Sequence, residues 1–271
     1  MIKISVVYPL EKKFGTLVDL DGNVVDRVEL PLVFSLPVRL DLIRRAVHSA
    51  ITARIQPKGR DPLAGKRRVG ESWGIGHGLA RLPRLDNGRA VFAPNVKGGR
   101  RQFAPTPLER IHEEINRKEM RLAIASAISA LANRYFIMKR NCVVPSSIVG
   151  LPIVVVNSVE NLSTTKDLRS FLVKTGLWAN IERTQDKVRI RAGKGKRRGR
   201  RYVKPKSLLF IVSSYETPLV RALRNLPGVD YLTPTTLNIL KLAPGGLPGR
   251  LSVISLKALE MIGQLYQVEK A

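Results

Sequence analysis

Phosphate-binding side chains are concentrated in one part of this sequence, between Ala53 and Thr106. This segment carries twelve Lys and Arg residues against three acidic residues, which gives it a net charge of +9. Guanidinium and ammonium groups at this density neutralise phosphates and release their counterions, so the chemistry that the segment offers is the binding of a polyanion. Its basic residues are Arg54, Lys58, Arg60, Lys66, Arg67, Arg68, Arg81, Arg84, Arg89, Lys97, Arg100 and Arg101.

A second basic block runs from Lys187 to Lys206, with eleven basic residues and no acidic one. Of the net charge of +26, the two regions carry +9 and +11, so only +6 is spread over the rest of the 271 residues. Charge localised in this way predicts two contact surfaces for nucleic acid, because charge that serves only solubility is dispersed. The centre of the second block consists of Lys194, Lys196, Arg197, Arg198, Arg200 and Arg201.

Glycines in both basic regions raise the question of a nucleotide-binding enzyme. Gly193 and Gly195 follow a possible strand, but the next glycine, Gly199, comes one residue too late for a dinucleotide-binding turn. Two arginines follow it where an apolar helix would be needed. The glycines of residues 74–78 lack the Lys-Ser/Thr pair of a phosphate-binding loop. The spacing therefore predicts no cofactor, no small-molecule substrate and no enzymatic activity.

Metal and disulfide chemistry have equally little support. The three histidines, His48, His77 and His112, lie far apart in the sequence, so no metal site is predicted. His48 and His112 are expected to border helices, whereas His77 lies among glycines where it could stack on a base or contact a phosphate. Cys142 is the only cysteine, which excludes an intramolecular disulfide and favours an intracellular protein.

The secondary-structure elements that position the two basic regions follow an α/β pattern in the first half of the chain. Hydrophobic residues make up 44% of the chain, enough for one sizeable core. Residues 1–9 predict a first strand and Val24–Leu30 a second one. Apolar residues recur at helical spacing from Leu40 to Arg54 and again, with many alanines, from Leu122 to Tyr135.

In the second half of the chain, four short apolar runs are each followed by a helix-capping residue and a segment of helical period. This order is typical of a parallel sheet with right-handed crossovers. The predicted fold class is α/β: an open, mostly parallel sheet with flanking helices (Rossmann-like, three-layer) plus a long extended internal loop. The four runs are Ile153–Val156, Leu208–Val212, Val229–Leu232 and Leu251–Ile254.

Residues 54–106 show neither helical nor strand periodicity and connect two predicted core helices. Pro107 is expected to begin the second of these helices, since three apolar residues follow it at helical spacing. An irregular segment of this length inside a compact domain binds a partner or is disordered. We therefore predict one globular domain, residues 1–271, with an extended RNA-binding loop at 54–106 and a basic loop at 187–206.

The run ESWGIGHGLARLPR at residues 71–84 resembles the signature loop of a ribosomal protein family, the fourth protein of the large subunit in its archaeal and eukaryotic branch. PVRLD at residues 37–41 resembles the start of that family's first helix, and GGRRQFAPT at residues 98–106 resembles the end of its loop. The resemblance extends from Met1 to about Tyr266. The lack of a long Lys-rich C-terminal extension, which eukaryotic members have, favours an archaeal source.

The resemblance implies a structural rRNA-binding protein whose loop is threaded inward to line the nascent-peptide exit tunnel. It implies large-subunit rRNA, neighbouring large-subunit ribosomal proteins and the nascent polypeptide as partners, and the cytoplasmic ribosome as the location. The residues that it places nearest the tunnel wall are Gly76, His77, Gly78 and Arg81. The aromatic residues that offer stacking surfaces to RNA are Trp73, Phe92 and Phe103. Ile75 and His77 depart from the family pattern, where we expect a threonine and an arginine.

Three other classes of protein are alternatives to this interpretation. An RNA-modifying enzyme of the methyltransferase type would need a cofactor pocket at the strand ends, and no glycine-rich turn supports one. A regulatory RNA-binding module acting away from the ribosome stays open as a second role. A membrane protein is disfavoured, because prolines interrupt the longest uncharged stretch, Asn141–Val159.

Overall fold

The computed structural model describes residues 2–6 and 10–270, which divide into two compact units. The larger unit combines the described residues of 1–50 with those of 114–271, and the smaller one consists of residues 51–113. The first strand predicted for residues 1–9 is described only at residues 2–6; the rest of that prediction lies outside the described residues.

The secondary structure alternates between strands and helices along most of the larger unit. In chain order, the strands are β1 (Ile2–Val6), β2 (Phe14–Val18), β3 (Val24–Glu29), β4 (Ile153–Val155), β5 (Arg189–Ile190), β6 (Tyr202–Val203), β7 (Leu209–Ile211), β8 (Asp230–Leu232), β9 (Ser252–Ser255) and β10 (Tyr266–Lys270). The helices are α1 (Leu40–Thr52), α2 (Arg117–Leu131), α3 (Arg134–Lys139), α4 (Thr165–Lys174), α5 (Trp178–Asp186), α6 (Pro218–Leu223), α7 (Ile239–Leu242) and α8 (Leu256–Leu265).

Six strands form the main sheet, in the order β3-β2-β4-β9-β7-β8. Only β2 and β3 pair antiparallel, and all other neighbours in this sheet are parallel. The chain leaves the carboxyl end of a parallel strand through a cap: the Ser255 side chain, for example, accepts a hydrogen bond from the Ala258 backbone N–H at 3.3 Å and begins α8. The predicted α/β class with an open, mostly parallel sheet is confirmed.

Two apolar clusters cover the two faces of this sheet. Neighbouring residues in β4 alternate between them: Val154 belongs to the cluster that contains α1, α2 and α8, whereas Ile153 and Val155 belong to the cluster that contains α4, α5 and α6. Strand residues buried on both faces are the reason that these strands read as continuous apolar runs in the sequence.

The prediction of a helix that begins at Pro107 is wrong. Residues 107–116 contain no helix, and α2 begins at Arg117. Leu108 is 93% exposed, so the three apolar residues at helical spacing, Leu108, Ile111 and Ile115, do not form one face that packs on the core. A short helix without tertiary packing is marginal in water, and the chain stays irregular here. His112, expected to border a helix, therefore lies in the irregular segment.

Helix α2 packs through small residues as well as through the larger apolar residues Ile128 and Leu131, which are fully buried. Ala123, Ala127 and Ala130 are fully buried, while Leu122 is 42% exposed. Small side chains allow the helix to approach the core closely. The predicted single stretch to Tyr135 is in fact two helices, because Asn133 caps α3 through a hydrogen bond from the Tyr135 backbone N–H at 3.0 Å.

Strand β2 was not anticipated, although it is the strand through which the antiparallel edge pair joins the parallel ones. Its Gly15 lies against the Pro152 carbonyl, where a Cβ would come within 2.9 Å of the oxygen.

Among the described residues, no helix has the length and apolar character that crossing a membrane requires.

Candidate RNA interface

The extension (residues 53–113) has an outgoing and a returning leg that contact each other at a few points. Near its base, the Arg60 N–H donates to the Pro105 carbonyl at 3.0 Å. Further out, Gly65 is packed so closely against Gly99 that a Cβ on Gly65 would lie 2.4 Å from the Gly99 carbonyl oxygen. The legs are therefore connected by isolated contacts instead of a continuous strand ladder.

The apex of the extension (residues 73–82) makes few contacts with the rest of the chain. All residues from 71 to 81 are exposed, and Ile75 is 86% exposed. Gly74, Gly76 and Gly78 have φ angles of 84°, 94° and 62°, and apart from their adjacent residues no described residue has an atom within 4 Å of where a Cβ would stand. These glycines supply a left-handed backbone and leave open space around it.

Trp73 and His77 form the one aromatic contact at the apex. Their rings meet edge to face with centroids 5.9 Å apart. The outer ring atoms of Trp73 also lie over Gly88, 3.6 Å from the position of a Cβ there. Because Trp73 is still 41% exposed, part of the indole remains available as a stacking surface.

Arg84 connects the apex to the returning leg. Its Nη1 donates to the Gly88 carbonyl at 2.8 Å, and its Nη2 contacts the Ala80 carbonyl at 3.3 Å. Its backbone N–H donates to the Glu71 carbonyl at 2.9 Å. The guanidinium of this predicted rRNA-binding residue is half-buried, and much of its donor capacity is used to hold the extension in shape.

Beneath Arg84 the extension has a small apolar contact of its own. Val91 and Ala93 are buried, at 5% and 8% exposure. Val91 lies against Gly70, and its N–H donates to the Pro83 carbonyl at 2.8 Å. Burial of two small side chains contributes only a few kcal/mol, which is little for a segment of this length.

One acidic residue reduces the charge of the outgoing leg. Asp61 forms an ion pair with Arg67, and its side chain also accepts the Leu63 N–H at 3.1 Å. The hydrogen bond from Arg67, followed by that from Leu63, lowers the pKa of the Asp61 carboxyl below its ordinary value. Asp61 is therefore charged at neutral pH and offsets Arg67, so Arg67 counts for less as a free cation than its neighbours do.

The predicted rRNA-binding residues are almost all at the surface. Within the extension only Arg84 and Arg100 are half-buried, and the others are exposed. The guanidinium of Arg100 lies 5.4 Å from the centre of the Phe92 ring, a cation–π contact. The exposed cations of the extension are Arg54, Lys58, Arg60, Lys66, Arg67, Arg68, Arg81, Arg89, Lys97 and Arg101.

The second basic block forms a small hairpin in the larger unit. Strands β5 and β6 pair antiparallel, and a 3₁₀ turn at Lys194–Arg197 lies between them. The Arg191 Nε donates to the Arg200 carbonyl at 3.0 Å. The cations of this basic hairpin (residues 187–206) that were predicted to bind rRNA are all exposed: Lys194, Lys196, Arg197, Arg198, Arg200 and Arg201.

The structure brings together residues that sequence reasoning did not connect. Arg67, Arg68 and Arg89 line one cleft with Phe92, although twenty residues lie between Arg68 and Arg89 in the sequence. Arg110 also belongs to the irregular segment, beyond the predicted end at Thr106. The failed helix prediction at Pro107 concealed that continuation.

An α/β body with two exposed basic regions, one on a largely unpacked extension, defines a protein suited to bind RNA. Family comparison narrows this class. The model of the ribosomal protein L4/L1 family matches residues 28–265, so the chain belongs to that family.

Relatives in archaea agree with this assignment over most of the chain. The chain is 46% identical to large ribosomal subunit protein uL4 of Saccharolobus solfataricus, over 94% of this chain and 96% of the relative. It is 48% identical to uL4 of Pyrobaculum aerophilum, over 91% of this chain and 88% of the relative. The resemblance identified from the motifs at residues 71–84 and 98–106 is thereby confirmed.

Proposed function

We propose that the extension binds large-subunit rRNA along its length and carries its apex to the wall of the nascent-peptide exit tunnel. The chain, as a member of its family, is a structural constituent of the large ribosomal subunit, in the cytoplasm, and contacts rRNA and other ribosomal proteins. The observation that carries the proposal is the net charge of +9 on a segment with only a small apolar contact of its own.

Counterion release is the physical basis of rRNA binding by the extension. Each Lys or Arg that neutralises a phosphate releases condensed cations, and the gain accumulates over many contacts. This gain offsets the conformational entropy lost when the two legs become ordered. The basic hairpin adds a second cationic surface, on the α/β body, for the same polyanion.

The proposed tunnel contact rests on the exposure of the apex. Gly76, His77, Gly78 and Arg81 are all exposed, and the glycines have no neighbouring protein atoms within contact distance of a Cβ. A backbone free of side chains can lie flat on RNA or beside a passing nascent polypeptide. Arg81 would then place one cation at this wall.

A methyltransferase-like RNA-modifying enzyme is not favoured. The family consists of structural ribosomal proteins, and the parallel sheet alone does not define an activity. The glycines of residues 193–199 stand on the basic hairpin, outside the main sheet, and so are not at the carboxyl end of a parallel strand where a cofactor turn belongs.

Amide hydrogen exchange tests whether the extension takes its order from RNA. In the isolated protein we expect fast exchange for most of residues 60–100, with weak protection near Val91, because few backbone hydrogen bonds connect the legs. Strands β4, β7 and β9 of the same molecule serve as the protected internal control. In the assembled large subunit the two legs of the extension should become protected.

Protection of residues 60–100 in the free protein that equals protection of the central strands would contradict the proposal. Such a result would mean that the extension has a stable fold of its own. Fast exchange of the two legs in the assembled subunit would contradict it equally, since the legs are proposed to lie against rRNA.

A further inference from the structure

The extension contains a defined cleft of about 190 Å³ on its outer half. Its walls include Gly65, Arg68, Arg89, Phe92 and Gly98, with Arg67 and Val91 completing the lining. Ligand pockets for drug-sized molecules measure about 300–1,000 Å³. This cleft is smaller, so its size suits a compact group such as a phosphate with the sugar attached to it.

The charge in the cleft is positive and not compensated. Asp61 offsets Arg67, but within residues 2–6 and 10–270 the guanidiniums of Arg68 and Arg89 meet neither a carboxylate nor another hydrogen-bond acceptor. Arg89 lies over Gly98, with its Nη2 3.6 Å from where a Cβ would stand. Two unpaired guanidiniums supply the fork of N–H donors that matches phosphate oxygens.

The backbone of the cleft is held in conformations that ordinary residues rarely adopt. Gly65 and Gly98 both have φ angles of 80°, and Phe92 has a φ of 62° despite its side chain. A non-glycine residue at positive φ costs about 1–3 kcal/mol and persists only where its surroundings fix it. Here the Arg100 guanidinium packs on the Phe92 ring, which keeps that ring as one wall of the cleft.

We propose that this cleft binds a single phosphodiester of the RNA backbone on Arg68 and Arg89, with the attached ribose against Phe92. The proposal rests on the rRNA-binding function above and gives it a specific site: one phosphate held in a built cleft, while the other cations act as a distributed charge. The cleft fixes the register of the extension along the RNA, because phosphate contacts position a protein without reading its sequence.

Phosphate-ethylation interference with the full-length chain tests this site. The probe is large-subunit rRNA of Saccharolobus solfataricus, transcribed in vitro. With the unaltered protein, ethylation of a limited set of phosphates should block binding. The double variant Arg68→Ala/Arg89→Ala should lose interference at one phosphate or two adjacent phosphates and keep it elsewhere, and the slope of log K against log salt should decrease by about one per lost contact.

The matched control is the double variant Arg54→Ala/Lys58→Ala, which removes the same charge from exposed positions outside the cleft. It should lower the salt slope similarly but keep interference at the phosphates assigned to the cleft. Two results would contradict the proposed phosphate site: loss of interference at the same phosphates in both double variants, or no loss of interference in Arg68→Ala/Arg89→Ala. Neither result would contradict rRNA binding by the extension as a whole.

Calorimetry with inorganic phosphate tests whether the cleft is a site for the RNA backbone or a site for a small phosphate compound. We expect no micromolar binding of inorganic phosphate to the free protein. Micromolar binding that disappears in Arg68→Ala/Arg89→Ala would identify a site for a small phosphate compound and overturn the assignment to RNA. If excision of residues 66–101 left rRNA binding unchanged, the proposed function itself would be wrong. This outcome is distinct from a result that contradicts only the phosphate site in the cleft.

Discussion

Excising residues 66–101 is expected to reduce the salt dependence of rRNA binding strongly, because it removes nine of the twelve cations between Ala53 and Thr106. The segment contains nine Lys and Arg residues and two acidic ones. If each cation neutralises one phosphate, the slope of log K against log salt decreases in magnitude by up to about 8. A protein with six to ten such contacts loses affinity by about 10³ to 10⁵ between 50 and 200 mM salt, and the excised variant should lose far less.

The structure indicates where to join the chain in this variant. Gly65 packs directly against Gly99 and Arg100, so the ends left by the excision are close enough for a linker of a few glycines. The two apolar clusters of the sheet contain only residues of the larger unit, and the body should therefore keep its fold. Circular dichroism checks the fold, and filter binding to in vitro transcribed large-subunit rRNA measures the slope.

A control variant must lose the same net charge, seven units, from elsewhere. Seven exposed cations of the body, outside both basic regions, can be replaced by glutamine for this purpose. An equal decrease of the slope in the two variants would attribute the effect to net charge, and an unchanged slope after excision would show that the extension is not the contact with RNA. The residues to replace are Arg27, Lys118, Arg134, Lys166, Arg221, Arg224 and Lys257.

Charge and motifs were readable from the sequence because they do not depend on packing. The net charge of +9 and the run at residues 71–84 indicated the family and the place of the extension before any contact was known. The parallel strands were predictable for a similar reason: burial on both sheet faces leaves uninterrupted apolar runs such as Leu209–Ile211.

The errors arose where tertiary context decides the outcome. Leu108, Ile111 and Ile115 have helical spacing, but the helix has no core face to join. The meeting of Arg68 with Arg89 depends on how the two legs approach each other, which no local pattern encodes. The interior of the candidate site was thus beyond sequence reasoning, whereas its location was not.

Replacing Arg250 is expected to destabilise the body more than any change in the basic regions. Arg250 is fully buried, and its guanidinium donates to the backbone carbonyls of Ser207, Leu208, Gly228 and Lys241 at 2.8–3.1 Å. It also forms a 2.6 Å ion pair with Asp230. One side chain therefore satisfies polar groups from the start of β7, from the turn before β8, from β8 itself and from α7.

The two partners of this ion pair respond differently to burial, because desolvation lowers the pKa of the Arg250 guanidinium below its ordinary value. Burial alone would raise the pKa of the Asp230 carboxyl, but the charge of Arg250 and the contacts of Lys206 outweigh it and hold that pKa below its ordinary value. Asp230 is thus ionised at neutral pH. Since Lys206 is the last residue of the basic hairpin and Ser207 follows it, this cluster also fixes where the hairpin joins β7.

For Arg250→Met we expect a loss of about 3–5 kcal/mol in the free energy of unfolding, because several buried carbonyls and part of the Asp230 charge lose their donors. Chemical denaturation of the full-length protein measures this loss. Lys206→Met is the matched control: it removes the other cation of Asp230, but its side chain is 43% exposed, and such a pair contributes about 0–1 kcal/mol.

Arg250→Lys separates charge from hydrogen bonding at the same position. A lysine keeps the positive charge beside Asp230 but cannot reach four carbonyls with the rigid donor fork of a guanidinium. A loss close to that of Arg250→Met would show that the carbonyl contacts dominate, which is the expected result. Stability of Arg250→Met within about 1 kcal/mol of the unaltered protein would contradict the argument, because removing one partner from a buried, fully bonded cluster leaves the others without compensation from water.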